Sequence, residues 1–134
     1  MPIKWDKSHS VNVKEIDNQH RHFIGMLNTL YDYIYEEKSR QELGSYLDDL
    51  IKYADLHFAT EERYFDKFKY ENSATHKMAH AQLRAQIMKF KDKFAAGSED
   101  ITVALVDFLE NWLVDHLEVQ DKKYTKCFND HGLF

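Results

Sequence analysis

The chain has 134 residues, only one proline and four glycines, and a formal net charge of −5. That length suits one domain with a single substantial core, and the scarcity of turn-forming residues argues against a fold of strands and tight turns. Basic residues are scattered among acidic ones, which excludes the basic surface of a nucleic-acid-binding protein. Cys127 is the only cysteine, so internal disulfides and thiolate-rich metal sites are excluded, and a metal ion would need nitrogen and oxygen ligands.

No apolar leader opens the chain, and no apolar run reaches the roughly 20 residues of a membrane span. We therefore expect a soluble, cytoplasmic protein that does not bind a membrane. Residues 1–134 are expected to form one domain.

Apolar residues recur at steps of three and four, the spacing of amphipathic helices, over most of the chain. Residues 1–11 lack this pattern and are expected to form an extended N-terminal arm that packs Trp5 against the helices. His20 falls within the apolar stripe of the first helix, whereas His22 lies about 200° away around that helix and should face solvent. The periodicity predicts four helices, at 12–38, 40–67, 74–96 and 99–127.

Short connections between the helices favour an all-α, antiparallel up-down-up-down four-helix bundle. His20 lies near the start of the first helix and Glu61 near the end of the second. His76 lies near the start of the third helix, and His116 lies in the last third of the fourth. In an antiparallel bundle these four positions are at the same end, so we expect their side chains to meet there.

Two pairs of candidate ligands have the four-residue spacing that puts both side chains on one helix face, His57 with Glu61 and His76 with His80. A single histidine in an apolar stripe is more often an ordinary core residue, but the convergence of several favours a metal site. The candidate ligands are His20, His57, Glu61, His76, His80, His116 and Asp121.

Imidazole and carboxylate ligands without thiolate suit iron, zinc or copper. The candidate groups are more than one ion can bind, so two ions are implied. If both carboxylates bridge the ions together with an oxo or hydroxo group, all but one position of an octahedral pair is filled, and an exogenous ligand could bind there. By their positions along the bundle, His76, His80 and His116 could serve one ion, and His20 and His57 the other.

Four motifs resemble those of the haemerythrin family in its prokaryotic single-domain form. They extend over nearly the whole chain, and all the ligand positions expected for the family are filled. The motifs are Ile16-Asp17-Asn18-Gln19-His20, His57-Phe58-x-x-Glu61-Glu62, His76-x-x-x-His80 and His116-x-x-x-x-Asp121-Lys122-Lys123-Tyr124.

The resemblance implies a non-haem site of two iron ions with an oxo or hydroxo bridge. Glu61 and Asp121 would bridge both irons. The open position would bind O₂. The implied division of the histidines is His76, His80 and His116 on one iron, and His20 and His57 on the O₂-binding iron.

The family also implies an apolar pocket beside the O₂-binding iron. Residues of that kind would form the core of any four-helix bundle, so an ordinary packing role stays open. The implied pocket residues are Phe23, Phe58, Trp112, Leu113 and Leu117.

His116 and Asp121 are five residues apart, which on an α-helix turns their side chains about 140° away from each other. If both belong to one site, the helix between them must be locally widened. The spacing therefore predicts a π-type turn, a feature that often occurs at functional sites.

The first hypothesis from the resemblance is reversible O₂ binding, for carriage, storage or delivery, by a protein that is not an enzyme. NO, azide and other small anions are further candidate ligands, and the protein partner stays open. The alternative is a di-iron peroxidase, oxidase or nitric oxide reductase, or a sensor of O₂ or of redox state. We expect no additional acid, base or substrate-sized polar pocket near the ligands, and their absence favours the binding protein.

Overall fold

The computed structural model confirms the predicted all-α four-helix bundle, and no strand occurs among the residues that it describes. The helices are α1 (Lys14–Glu36), α2 (Arg40–Phe68), α3 (Ser73–Ala95), α4 (Thr102–Asp115) and α5 (Thr125–Asp130). The structure describes residues 3–36, 40–97 and 102–134, without the side chains of 34–36, 40, 102, 117 and 118. The end of the first predicted helix at 38 and the start of the fourth at 99 lie outside these residues.

The first and fourth helices differ from the sequence prediction for backbone reasons. Asn12 has a φ of 56°, and this left-handed conformation cannot belong to a right-handed helix, so α1 begins at Lys14 rather than at 12. The predicted fourth helix is interrupted. After α4 the chain forms a π-helical segment (His116–Gln120) and a 3₁₀ turn (Asp121–Tyr124) before α5.

The N-terminal arm is bound to α1 by side chains of that helix. The carboxylate of Asp17 accepts a hydrogen bond of 2.8 Å from the amide of Val11. Asn28 both donates to the carbonyl of Ile3 and accepts from its amide, each at 2.9 Å. Trp5 packs against the apolar core, as expected. The arm therefore covers the outer side of α1 and includes a 3₁₀ turn rather than being extended throughout.

Two apolar clusters form the interior, one on each side of the candidate ligands. We call the larger one the aliphatic core; its centre is Leu27, Leu30, Leu47, Leu50, Ile87 and Leu105, each no more than 2% exposed. We call the smaller one the terminal aromatic cluster; it consists of Phe65, Tyr70, Tyr124 and Phe128 with Val11, Val13 and Ile16. Phe23 belongs to the first cluster and contacts the ring of His57, while Phe65 belongs to the second and contacts the ring of His76.

None of the described helices combines the length and the apolarity that crossing a bilayer requires.

Candidate metal centre

The structure brings all of the predicted ligand residues together in one buried layer between the two apolar clusters. His20 comes from α1, and His57 and Glu61 come from α2. The third helix and the segment after α4 supply the others. Their exposed fractions are 0% for His20, His57, Glu61 and Asp121, 7% for His76, and 4% for His80 and His116.

The π-helical segment allows His116 and Asp121 to point into the same site. Its wider turn, in which the amide of Asp121 donates to the carbonyl of His116, removes the angular divergence that an α-helix would impose. Nε2 of His116 lies 2.6 Å from Oδ2 of Asp121. The π-type turn predicted from the five-residue spacing is therefore confirmed.

The carboxylate of Glu61 lies among imidazoles from three segments of the chain. Its Oε1 is 2.8 Å from Nε2 of His57, 3.3 Å from Nε2 of His80 and 3.7 Å from Nε2 of His116. Its Oε2 is 3.8 Å from Nε2 of His76. A carboxylate at the centre of four imidazoles is in position to bridge two cations.

Asp121 occupies an equivalent central position. Its Oδ2 is 2.7 Å from Nε2 of His20, in addition to its contact with His116. Its Oδ1 is 3.1 Å from Nε2 of His76. Each carboxylate therefore faces imidazole nitrogens from several helices, and the histidines surround the carboxylates.

The distances between ligand atoms group these residues differently from the predicted division between two ions. The residues fall into two groups, and within each group the ligand atoms all lie within 4.8 Å of one another. Nε2 of His116 lies only 3.2 Å from Nε2 of His57, although the prediction assigns these two residues to different ions. The division therefore stays a prediction. The two groups are His20, His57, His116 and Asp121, and Glu61, His76 and His80.

The hydrogen-bonding state of these atoms shows that the site fits metal ions. Both carboxylate oxygens of Glu61 and of Asp121, and Nε2 of His20 and of His80, are buried without a hydrogen-bond partner. An ionised group buried without a partner costs several kcal/mol. Bound cations would satisfy these atoms, and a set of imidazoles and carboxylates is suited to iron, zinc or copper.

Charge in the site is concentrated on the two carboxylates. Burial by itself would raise the pKa of Glu61 and of Asp121, but the facing imidazoles outweigh burial and hold both pKa values below the ordinary range. For Glu61 the imidazoles are mainly those of His57 and His80, and for Asp121 mainly that of His116. Both shifts favour the ionised carboxylate, which is the form that binds metal.

The two histidines that contact Glu61 most closely respond to burial differently. Burial lowers the pKa of His57 to about 4, so its ring is neutral at pH 7 and has a free lone pair for a metal. Burial also acts to lower the pKa of His80, but the carboxylates of Glu61 and Glu62 outweigh it, and the pKa of His80 is raised.

Two residues that the sequence analysis did not select hold ligand histidines from behind. The Nδ1–H of His57 donates to Oε1 of Gln19 at 2.7 Å, and the Nδ1–H of His80 donates to Oε2 of Glu62 at 3.0 Å. Such partners fix which ring nitrogen faces the metal. Both residues stand in the motifs quoted from the sequence, Gln19 beside the ligand His20 and Glu62 beside the ligand Glu61, but neither was assigned a role there.

The apolar side of the site includes three of the five predicted pocket residues. Phe23, Trp112 and Leu113 line a cavity of only about 10 Å³ at the edge of the aliphatic core. Phe58 does not line it; its ring stacks on His80 with the centroids 4.1 Å apart. The side chain of Leu117 lies outside the described residues. The pocket role of all five therefore stays a prediction.

Another side of the site opens to solvent through a cleft that has polar residues in its lining. A cleft of about 430 Å³ between α3 and the π-helical segment reaches His76 and His116. Asn72, Gln120 and Lys123 contribute to its lining. The site thus has one dry, closely packed side and one side that water can approach, and the expectation that no polar pocket lies near the ligands is wrong.

Comparison with known proteins agrees with this arrangement. A family model described as "Hemerythrin HHE cation binding domain" matches residues 11–127. A bacteriohemerythrin of Methylococcus capsulatus is 35% identical over 118 residues, which cover 88% of this chain and 89% of that protein. A bacteriohemerythrin of Stenotrophomonas maltophilia is 31% identical over 129 residues, covering 96% and 83%. A crystal structure of wild-type hemerythrin superposes with a TM-score of 0.87 at 33% identity, covering 95% of this chain and 98% of that one.

Proposed function

We propose, because this chain belongs to the haemerythrin family, that it binds O₂ reversibly at a di-iron centre and serves to carry, store or deliver O₂. One observation carries the proposal. Glu61 and Asp121 are buried anions, each facing imidazole nitrogens from several helices, and their oxygens have no hydrogen-bond partner. Two cations bridged by these carboxylates would satisfy them.

In the proposed centre Glu61 and Asp121 would each hold both irons, and an oxo or hydroxo group would be shared between them. When bound, the two ferrous ions supply the electrons for reversible O₂ binding. The chain positions the ligands and keeps the imidazole of His57 neutral at pH 7. The proposed division of the histidines is His76, His80 and His116 on one iron, and His20 and His57 on the iron that binds O₂.

The apolar side chains near His57 would slow the escape of charged species from the site. The ring of Phe23 meets that of His57 edge to face, with the centroids 5.2 Å apart, and Trp112 stacks on His116 at 4.5 Å. With Leu113 they leave almost no space for water on this side. Charged products of O₂ reduction escape poorly through such a region, so irreversible oxidation is slowed.

The polar cleft at His76 and His116 favours a second candidate, a di-iron enzyme such as a peroxidase. A cleft of about 430 Å³ admits small polar molecules as far as two ligand histidines, which a carrier of a diatomic gas does not need. NO and azide are proposed as ligands that compete with O₂ in either case.

Stopped-flow mixing of the anaerobic, ferrous-loaded protein with O₂ distinguishes the two functions. A carrier is expected to form an adduct with two irons per chain, to release O₂ when oxygen is removed, and to repeat the cycle. Azide added to the oxidised protein is expected to change its absorption spectrum. Prompt, complete oxidation with release of hydrogen peroxide would reject the carrier and favour the enzyme.

A further inference from the structure

The groups that accept a hydrogen bond from Nδ1 of His57 and from Nδ1 of His80 differ in charge. Gln19 offers His57 a neutral amide oxygen, whereas Glu62 offers His80 a carboxylate oxygen. In both cases the Nδ1–H of the ring is the donor, so Nε2 points at Glu61. The two contacts therefore have the same geometry and unequal charge.

The orientation of the Gln19 amide is determined by its second hydrogen bond. Its Nε2 donates to Oγ1 of Thr60 at 3.0 Å, and the hydroxyl of Thr60 donates to the carbonyl of Leu56 at 3.0 Å. The amide nitrogen is thus committed to an acceptor, so the oxygen must face His57. Gln19 fixes the ring without bringing any charge to it.

Glu62 lies at a groove of about 290 Å³ on the surface between α2 and α3. The basic residues in the lining of this groove have other partners. Lys77 pairs with Asp66 at 2.6 Å, and Arg84 pairs with Asp55 at 2.8 Å. The carboxylate of Glu62 is therefore directed to His80.

We propose that Gln19 and Glu62 are positioning residues that make the two metal ions electronically unequal. A carboxylate that accepts a hydrogen bond from Nδ1 of a ligand histidine draws the proton towards itself, which makes Nε2 a stronger electron-pair donor to the metal. A neutral amide fixes the ring with less effect on its basicity. The ion bound by His80 is then easier to oxidise than the ion bound by His57.

This inference rests on the proposed function, because it concerns two irons that change oxidation state. It also deepens that function. His57 is proposed to bind the iron that takes up O₂. Its imidazole donates electron density to that iron more weakly, which favours return of electrons to the metal pair when O₂ leaves. The stronger donor on the other iron supports its ferric state while O₂ is bound.

The test is an anaerobic redox titration, followed by absorption, of the two-iron protein and of two nearly isosteric variants. E62Q removes the charge behind His80 and is expected to raise the midpoint potential. Q19E adds a charge behind His57 and is expected to lower it. At a fixed potential each variant should change the ferric-to-ferrous ratio by roughly tenfold, if the effect on ferric affinity is at the lower end of that of such partners on metal affinity.

Matched controls separate this effect from net charge. Gln86→Glu and Asp107→Asn make the same changes of charge at exposed positions on α3 and α4, and neither should move the midpoint. The double variant Q19E/E62Q has the charge of the original protein, and its midpoint should lie close to the original value.

Binding of Co²⁺ gives a second measurement if a variant does not retain two irons. E62Q should weaken Co²⁺ binding and Q19E should strengthen it, each by about tenfold. Shifts of both variants in the same direction, or no shift with two ions bound, would overturn the inference. If the two variants shift in opposite directions but the protein does not bind O₂ reversibly, only the carrier function would be rejected.

Discussion

The aliphatic core and the ligand layer are both deeply buried, but different forces hold them together. Leu30, Leu47 and Leu105 are each 0% exposed and need no partner other than neighbouring apolar side chains. Burial of one such side chain contributes about 1.5–3 kcal/mol. In the ligand layer, Glu61 and Asp121 are equally buried, yet their oxygens lack hydrogen-bond partners.

The aliphatic core is therefore complete without metal, whereas the ligand layer is not. The hydrophobic effect is non-directional and needs nothing beyond the chain. The ligand layer places two anions and a set of imidazoles in a region of low dielectric constant, where uncompensated charge is costly. The stability of the aliphatic core should therefore be independent of metal, whereas that of the ligand layer should depend on it.

Glu61→Ala should have the largest effect. It removes a central anion that faces four imidazoles, so two-iron loading should be lost. After the same treatment with iron, the variant should be roughly 3–5 kcal/mol less stable than the original protein. Metal analysis and thermal unfolding measure both effects. Asp48→Ala, at an exposed carboxylate of the same helix paired with Lys91, is the control and should cost less than about 1 kcal/mol. Two irons per chain in Glu61→Ala would contradict the bridging role.

Leu47→Ala tests the aliphatic core. The side chain is 0% exposed, and its truncation should cost about 2–5 kcal/mol in the free energy of unfolding. Urea denaturation should give the same loss in the iron-loaded and the chelator-treated protein. If the loss differed strongly between the two forms, the core would not be independent of the metal.

Acid should weaken the ligand layer of the metal-free protein through His57. Burial lowers the pKa of His57 to about 4, below the value of about 6.5 in an unfolded chain. The unfolded state therefore binds the proton more tightly, and this contribution is fully present above pH 6.5 and is lost as the pH falls towards 4. The expected loss is at most about 3 kcal/mol.

Two measurements check this expectation. In an NMR titration of the metal-free protein, the ring of His57 should stay neutral at pH 5.5. In urea denaturation, the stability difference between the original protein and His57→Gln should shrink as the pH falls from 6.5 to 4. A difference that grows on acidification would have the wrong sign.

Gly25→Ala should have the smallest effect, and it should stabilise the protein. Gly25 is exposed within α1, and an added Cβ would meet nothing within 4 Å. The substitution should therefore raise the free energy of unfolding by about 0.5–1 kcal/mol, because alanine has the greater helix propensity. Thermal unfolding should show the gain in both the loaded and the metal-free protein, and an effect on iron content would reveal a role of Gly25 in the site.

Much of the site could be predicted because the helical period ties sequence spacing to direction. His57 and Glu61 are four residues apart, so any helix there puts them on one face. The π-type turn between His116 and Asp121 followed from the same arithmetic. The interruption of the fourth helix by the 3₁₀ turn from Asp121 did not. Tyr124 and Phe128 pack in the terminal aromatic cluster there, and spacing within one helix does not specify such packing.

The partners of the ligand histidines could not be predicted in the same way. Gln19 lies on the helix next to His20, yet its amide oxygen holds His57 of a different helix, 38 positions away in the chain. Glu62 holds His80 across the interface of α2 and α3. These contacts depend on how two helices are rotated against each other, which periodicity within one helix does not specify.

The helical class, the inward faces of the helices and the end of the bundle at which the ligand residues meet all follow from the order of the residues. Helical periodicity and short connections are local properties of the chain. Which imidazole faces which carboxylate oxygen follows only from the tertiary structure. The same holds for the stacking of Phe58 on His80, away from the apolar cavity, and for the contrast between the dry side of the site and the open one. Those features depend on distances of a few ångströms between different helices, and only the packing of complete side chains determines such distances.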